Sequence, residues 1–195
     1  TKPKKKDLEE NFSPMSTKPT KTRRPVQKTI QLPPDVTLDI NTNTFTIKGK
    51  KGQIQRQLIH PGVSIEKKDN HVIIKGYKHS KKEKRTANTM AAHINNLIRG
   101  VQTGFAYKLK ICSGHFPMTV KVDGNNVVIS NFLGEKIPRI SKILSETKVV
   151  VQGDTITVEG LDIERAGQTA ANIESATRIK RRDRHVFQDG CYIIE

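Results

Sequence analysis

Histidines and cysteines are the residues most often used as metal ligands and nucleophiles, and their spacing in this sequence argues against catalysis. The 195-residue chain contains six histidines and two cysteines, Cys112 and Cys191. No histidine lies at metal-ligand spacing from a cysteine or carboxylate, and two distant cysteines make no disulfide framework. No serine, cysteine or lysine falls in a nucleophile motif. We therefore expect a protein that is not an enzyme and holds neither a metal nor a cofactor.

The charge balance points to a polyanionic partner. The chain has 35 lysines and arginines against 19 aspartates and glutamates, which gives a formal net charge of +16. Such an excess is typical of nucleic-acid-binding proteins. No apolar run approaches the roughly 20 residues that span a bilayer. We expect nucleic acid, and not a membrane, as the partner, and a reducing cytoplasm as the location.

Much of the excess charge lies in two clusters at the ends of predicted helices. The first basic cluster, at the start of the first helix, comprises Lys78, Lys81, Lys82, Lys84 and Arg85. The second basic cluster, at the end of the second helix, comprises Arg178, Lys180, Arg181, Arg182 and Arg184. Cations stabilise a helix end and destabilise a helix start. A structural role therefore accounts for the second cluster, whereas the first requires an outside anion such as phosphate.

Residue periodicity supplies the elements that position these clusters. Period-two alternation over residues 44–48 and 53–58 predicts strands, and two more flank the turn-forming pair Asp69 and Asn70. The spacing of apolar residues then becomes helical from about residue 80 to 99, and Gly100 is the expected stop. Similar strands recur around residues 120–129 and 149–158, followed by a helix over residues 163–179.

The order of elements indicates an internal duplication. Ile47 lies 82 positions before Ile129, and Ile74 lies 84 before Val158, each pair on corresponding strands. A period near 80 suits a duplicated small domain. We predict an α+β protein with two similar tandem domains, each an antiparallel sheet with one packed helix, at residues 28–104 and 105–195. Residues 1–27 form a basic extension, either a solvated tail or an arm that orders on RNA.

One loop admits a different interpretation. Residues 47–54 contain Gly49-Lys50-Lys51-Gly52, which matches the loop with which KH domains clamp a single-stranded backbone. That loop joins two helices, whereas both flanks here alternate with period two. We prefer a hairpin turn, and a free KH-type RNA-binding regulator remains the alternative function. The catalytic alternative is an rRNA-modifying enzyme, but the sequence contains neither the cofactor-binding loop nor the nucleophile motif that such an enzyme would need.

Several motifs resemble one known family. They are residues 100–105 (Gly-Val-Gln-Thr-Gly-Phe), 107–109, 115–117 (His-Phe-Pro) and 131–136 (Asn-Phe-Leu-Gly-Glu-Lys). Together they are similar to ribosomal large-subunit protein six, the family numbered nine in eukaryotes. Residues 167–173 and 186–190 resemble its archaeal branch. The resemblance covers residues 28–195.

The resemblance implies a structural constituent of the large ribosomal subunit, with two α+β domains and rRNA bound mostly by the second. It places the protein near the stalk base and the sarcin-ricin loop, beside neighbouring ribosomal proteins and docking translation factors. Besides the two clusters, the expected rRNA-binding residues are Arg99, Lys108, His115, Phe116, Lys136, Arg139 and Lys142. Gly100 and Gly104 are expected to form the interdomain hinge, and Phe132 and Leu133 to be buried.

Overall fold

The computed structural model describes residues 26–41, 44–58, 60–77, 80–183 and 185–194. The predicted N-terminal arm lies outside the described residues except for its last two positions, Val26 and Gln27. Lys78 and Arg184 lie outside them as well.

The first domain contains six strands followed by a long helix. Its elements are β1 (Gln27–Gln31), β2 (Thr37–Asn41), β3 (Thr44–Gly49), β4 (Gly52–Gln57), β5 (Val63–Lys68), β6 (His71–Gly76) and α1 (Lys81–Gln102). The strands form two antiparallel sheets, with orders β1-β6-β5 and β2-β3-β4. The turns at Asp69 and at Gly49 to Gly52 connect hairpins, as predicted.

The second domain repeats this plan and adds one strand. Its elements are β7 (Phe105–Cys112), β8 (Thr119–Asp123), β9 (Asn126–Ser130), β10 (Arg139–Lys142), β11 (Thr147–Gln152), β12 (Thr155–Gly160), α2 (Ile163–Ala176) and β13 (Gly190–Ile193). A single 3-10 turn spans Phe132–Gly134. The sheet orders are β10-β9-β8 and β11-β12-β7-β13, so β7, β12 and β11 match β1, β6 and β5. The predicted duplication and α+β class are confirmed, with the strands of each domain divided between two sheets.

Each domain has its own apolar core under its helix. In the first, Ile47 and Ile74 are fully buried together with the α1 face that includes Ile94. In the second, the corresponding Ile129 and Val158 are fully buried. Alternate strand residues lie on one face of a sheet, and helix residues spaced three or four apart lie on one face of a helix. The apolar faces of the strands and of α1 or α2 therefore pack together in one core in each domain. Phe132 and Leu133 are buried, as predicted.

Both helices begin as expected but end elsewhere. The Ser80 hydroxyl caps α1 by accepting from the Glu83 N–H at 3.2 Å, and Asp162 caps α2 through the Glu164 N–H at 2.9 Å. The prediction that α1 stops at Gly100 was wrong. The helix continues to Gln102 and ends before Gly104, whose φ of +73° is the left-handed conformation of a helix C-terminal glycine.

None of the helices in the described residues is long and apolar enough to cross a membrane.

Candidate nucleic-acid interface

The first basic cluster lies on the opening turns of α1. Lys81, Lys82, Lys84 and Arg85 are all exposed there. The Ser80 cap and the acidic Glu83 in the same turn offset the helix dipole, so the helix forms despite its cations. These four described members thus project from a helix start into solvent, where an external anion would meet both the dipole and the charges.

The second basic cluster does not terminate α2, contrary to the structural interpretation of the sequence. The helix ends at Ala176, three residues before the predicted end, and its last turn contains no basic residue. Arg178, Lys180, Arg181 and Arg182 lie beyond it and are exposed. Helix termination therefore does not account for this cluster, and its charges are available to a partner.

Arg139, on β10, binds the carbonyl oxygen at the end of α2. Its guanidinium donates to the carbonyl oxygens of Ala176 at 2.9 Å and Arg178 at 3.1 Å. It also forms a two-pronged pair with Glu135, at 2.8 Å and 2.6 Å, and lies 4.2 Å from the centre of the Phe132 ring. The hydrogen bonding of Arg139 to Glu135 holds the pKa of Glu135 below its ordinary value, and the charges of Arg139 and Arg182 lower this pKa further by smaller amounts. These contacts give Arg139 a structural role.

The other predicted cations are spread over the surface. Lys136 and Lys142 flank Arg139 and are exposed, and Lys108 is exposed on β7. Arg99 lies on the solvent side of α1, 5.9 Å from the centre of the Phe105 ring. Lys136 thus lies in the segment before β10 and Lys142 at the end of that strand, whereas Lys108 and Arg99 lie on β7 and α1.

His115 and Phe116 lie in the exposed β7–β8 loop, as predicted. The His115 Nδ1 lies 3.0 Å from a carboxylate oxygen of Asp189, whose other oxygen accepts from the backbone N–H groups of Gly114 and His115. Phe116 is 43% exposed and is therefore not part of the core. Sequence reasoning missed Asp189, because nothing in its neighbourhood signals a partner 74 residues earlier in the chain.

The end of α1 meets the turn between β3 and β4 in its own domain, and it also meets Leu161, in the loop before α2 of the second domain. The Lys51 N–H donates to the Val101 carbonyl at 3.0 Å, and the Lys51 ammonium donates to the Thr103 carbonyl. Gly49 allows this approach, since a Cβ there would lie 2.7 Å from Val101. Gly52 faces the second domain, since a Cβ there would lie 3.0 Å from the Leu161 side chain. The Gly49 to Gly52 turn is therefore a connection to the interdomain joint. It joins two strands, which contradicts the KH interpretation.

A charged network continues the joint. Arg56 of β4 pairs with Glu164 of α2 and lies 3.6 Å from Asp162. His93 of α1 approaches Glu164 at 3.1 Å. The Arg56 hydrogen bond is the main reason that the pKa of Glu164 lies below its ordinary value. Neither Arg56 nor Glu164 was identified from the sequence, because their partnership requires the relative placement of both domains.

No group of three or more metal-ligating side chains occurs in the part of the chain that the structure describes. Cys191 is buried, and burial raises the pKa of its thiol to about 12. No described side chain bonds to the His115 Nε2, so the His115–Asp189 pair faces no nucleophile among these residues. The arrangement can bind anions.

A duplicated α+β fold with exposed cation clusters defines a class of tandem-domain proteins built to bind polyanions. Within that class the chain belongs to the ribosomal protein L6 family, whose model matches residues 32–104 and 116–190. It is 48% identical over 170 residues to large ribosomal subunit protein uL6 of Methanosarcina mazei, covering 87% of this chain and 97% of the relative. The Aeropyrum pernix protein of that name is 44% identical over 171 residues, covering 87% and 94%. These relatives are archaeal, so the predicted resemblance is confirmed.

Proposed function

We propose that this protein is a non-catalytic structural constituent of the large ribosomal subunit in the cytoplasm, where it binds large-subunit rRNA. Family membership supports the ribosomal role, because the relatives named above are large-subunit proteins. The observation that carries rRNA binding is the exposure of the four described members of the second basic cluster, beyond the end of α2. Arg139, and not this cluster, binds the carbonyl oxygen at the end of α2, so Arg178, Lys180, Arg181 and Arg182 are left to contact phosphate.

Electrostatic attachment makes a quantitative prediction. Each phosphate that a lysine or arginine neutralises releases counterions, so affinity falls with salt in proportion to the number of contacts. If roughly six contacts form, raising monovalent salt from about 50 mM to about 200 mM should weaken binding to large-subunit rRNA on the order of a thousandfold. Filter binding with purified rRNA measures this slope. A flat salt response would contradict phosphate contact as the main source of affinity.

We further propose that the second domain faces the stalk base and the sarcin-ricin loop, beside neighbouring ribosomal proteins and docking translation factors. The family resemblance implies this location, and the exposed cations of the second domain support rRNA contact by that domain. Directed hydroxyl-radical cleavage tests it, with an iron chelate attached to Ser175→Cys, an exposed position at the end of α2. A Cys112→Ser background removes the partly buried thiol, and Cys191 is unreactive because it is buried.

We expect cleavage of the rRNA in the sarcin-ricin loop and at the stalk base. Asn95→Cys, exposed on α1, serves as the matched control and should cleave elsewhere. The same cleavage pattern from both sites, or no cleavage in these two rRNA regions from Ser175→Cys, would contradict the proposed location.

A further inference from the structure

Two loops at one end of the second domain are fastened together by Asp189. The first is the β7–β8 loop and the second is the segment that joins α2 to β13. Asp189 is only 4% exposed, and its carboxylate accepts from the Gly114 N–H and from the His115 N–H at 3.3 Å. The carboxylate also lies 3.0 Å from the His115 ring nitrogen Nδ1. A buried side chain thus fixes an exposed ring in position.

The ionisation of Asp189 determines which ring nitrogen remains free. Burial is the largest influence and raises the pKa of Asp189, but the hydrogen bonds from Gly114, His115 N–H and the ring outweigh it and leave the pKa lowered. The group is therefore a carboxylate at neutral pH, and Nδ1 carries the proton that it accepts. The Nε2 atom points to no described hydrogen-bond partner.

The fixed ring belongs to a stack. The Phe187 ring lies 4.8 Å from the His115 ring, centre to centre, and is inclined by 36°. The Arg182 guanidinium lies 5.0 Å from the centre of the Phe187 ring. We call His115, Phe187 and Arg182 the ring platform. It borders a shallow cavity of about 650 Å³ that Cys112, His115 and Gln188 help to line.

We propose that the ring platform binds one unpaired RNA nucleotide, with the base stacked on the exposed His115 ring and its phosphates held by the adjoining cations. This inference rests on the proposed function and specifies the kind of RNA element that it recognises. The His115 side chain is 39% exposed, so a ring face is accessible. Lys180 and Arg181 are exposed beside Arg182 and have no acidic partner among the described residues.

Three physical points favour an unpaired nucleotide over other occupants. A ring that is already fixed by Asp189 and Phe187 loses little conformational freedom on stacking. Every base offers a π-face to such a ring only when it is unstacked from its neighbours, so a continuous duplex cannot use the platform. An acidic peptide would satisfy the cations and leave the ring face unused.

The test uses the full-length protein and an RNA hairpin with one bulged 2-aminopurine, whose fluorescence falls when it stacks. The wild-type protein should quench this fluorescence. His115→Leu should abolish quenching and weaken binding of the bulged hairpin about tenfold or more, since base–aromatic stacking contributes substantially to affinity. His115→Phe, the conservative variant, should retain quenching. Binding of the fully paired hairpin should be the same for all three proteins.

The inference is overturned if the wild-type protein leaves the fluorescence unchanged, or if the Leu and Phe variants behave alike. Circular dichroism checks that each variant folds. Should His115→Leu not fold, photo-crosslinking of the bulged base to the wild-type protein decides, with His115 or Phe187 as the expected crosslinked residue and any other residue contradicting the platform. Salt-dependent binding of large-subunit rRNA without quenching would reject the platform alone, whereas no rRNA binding would reject the proposed function too.

Discussion

At the scale of single residues, position in the fold decides what a glycine or an arginine does. Gly100 was predicted to end a helix and act in a hinge, but it is a buried residue within α1. A Cβ at this position would lie 1.9 Å from the Leu161 carbonyl oxygen, in the loop before α2. Gly100 therefore permits close contact between the domains. The sequence offers no sign of this, because the atom that excludes a side chain lies 61 residues away.

Gly100→Ala should destabilise the protein. Alanine favours a helix interior by about 1 kcal/mol, but the clash with the Leu161 backbone requires the domains to move apart. Overpacking of this kind typically costs about 1–3 kcal/mol, and contact with rigid backbone places the cost at the upper end, so we expect a net loss of about 2 kcal/mol. Urea denaturation measures it.

Gly62→Ala is the matched control, since its new Cβ would meet neighbours at 3.5 Å or more. It should change the free energy of unfolding by no more than about 0.5 kcal/mol. A neutral or stabilising Gly100→Ala would show that the joint between the domains yields easily, as the hinge prediction requires.

Arg139 makes a second prediction about single residues. Arg139→Lys retains the charge but cannot span Glu135 and the carbonyl oxygens of Ala176 and Arg178 together, because an ammonium lacks the guanidinium fork. We expect a loss of about 1–2 kcal/mol in the free energy of unfolding. Lys142→Gln, an exposed residue of the same strand, should have little effect. Unchanged stability of Arg139→Lys, together with weakened rRNA binding, would return Arg139 to the RNA-contacting residues.

At the scale of elements, the sequence predicted features that depend on neighbouring residues and missed features that depend on contacts between distant elements. The hairpin at Asp69 and both helix starts were predictable, because turn and cap residues act within a few positions. Strand β13 (Gly190–Ile193) was not, since it exists through pairing with β7 about 80 residues earlier. The end of α2 was also missed, because Arg139, from another strand, binds its last carbonyls.

The joint between elements of the two domains makes stability depend on pH. The pKa of Glu164 lies below its ordinary value of 4.5, mainly because Arg56 donates to it, with His93 a weaker influence. A lowered carboxylate pKa stabilises the fold fully above the unfolded value, and this stabilisation is lost as pH falls through the folded value. The contribution of Glu164 should therefore begin to fall below about pH 4.5 and be lost once the pH has passed through the lower folded pKa.

Arg56→Met should destabilise the protein at neutral pH, and its difference from wild type should narrow as the pH falls below about 4.5. Asp162 and His93 also face the site, so the comparison is made as a full pH series of urea midpoints. Lys48→Met, an exposed residue of the adjacent strand, is the control and should parallel wild type at every pH. A pH-independent deficit in Arg56→Met would mean that Arg56 acts by packing alone.

At the scale of the whole molecule, duplication supplies two similar bodies with different charged surfaces. The repeat was visible from the 82- and 84-residue spacings because buried strand positions are constrained equally in both copies. The different placement of the cations in the two copies could not be predicted, because exposed cations follow no periodic pattern in the sequence. The first basic cluster belongs to a helix start and the second to the segment beyond a helix end.

Independent cores predict that the second domain folds alone. A fragment of residues 105–195 contains all of the second core, so it should unfold cooperatively in urea. It should be less stable than the intact protein, because Leu161 packs against the first core and Glu164 pairs with Arg56. Failure of the fragment to unfold cooperatively would indicate that the domains depend on a common core.

The central claim, that rRNA is held mainly by the second basic cluster, is tested most directly by neutralising each cluster to glutamine and comparing rRNA affinities. Removing the first cluster should leave the free protein as stable or slightly more so, because it removes cations from a helix start. Removing the second should leave α2 intact by circular dichroism, since Arg139 binds its last carbonyls. We predict the larger loss of affinity, and the larger decrease in salt slope, for the second-cluster variant. Equal losses, or a larger loss from the first-cluster variant with both folds intact, would contradict the claim.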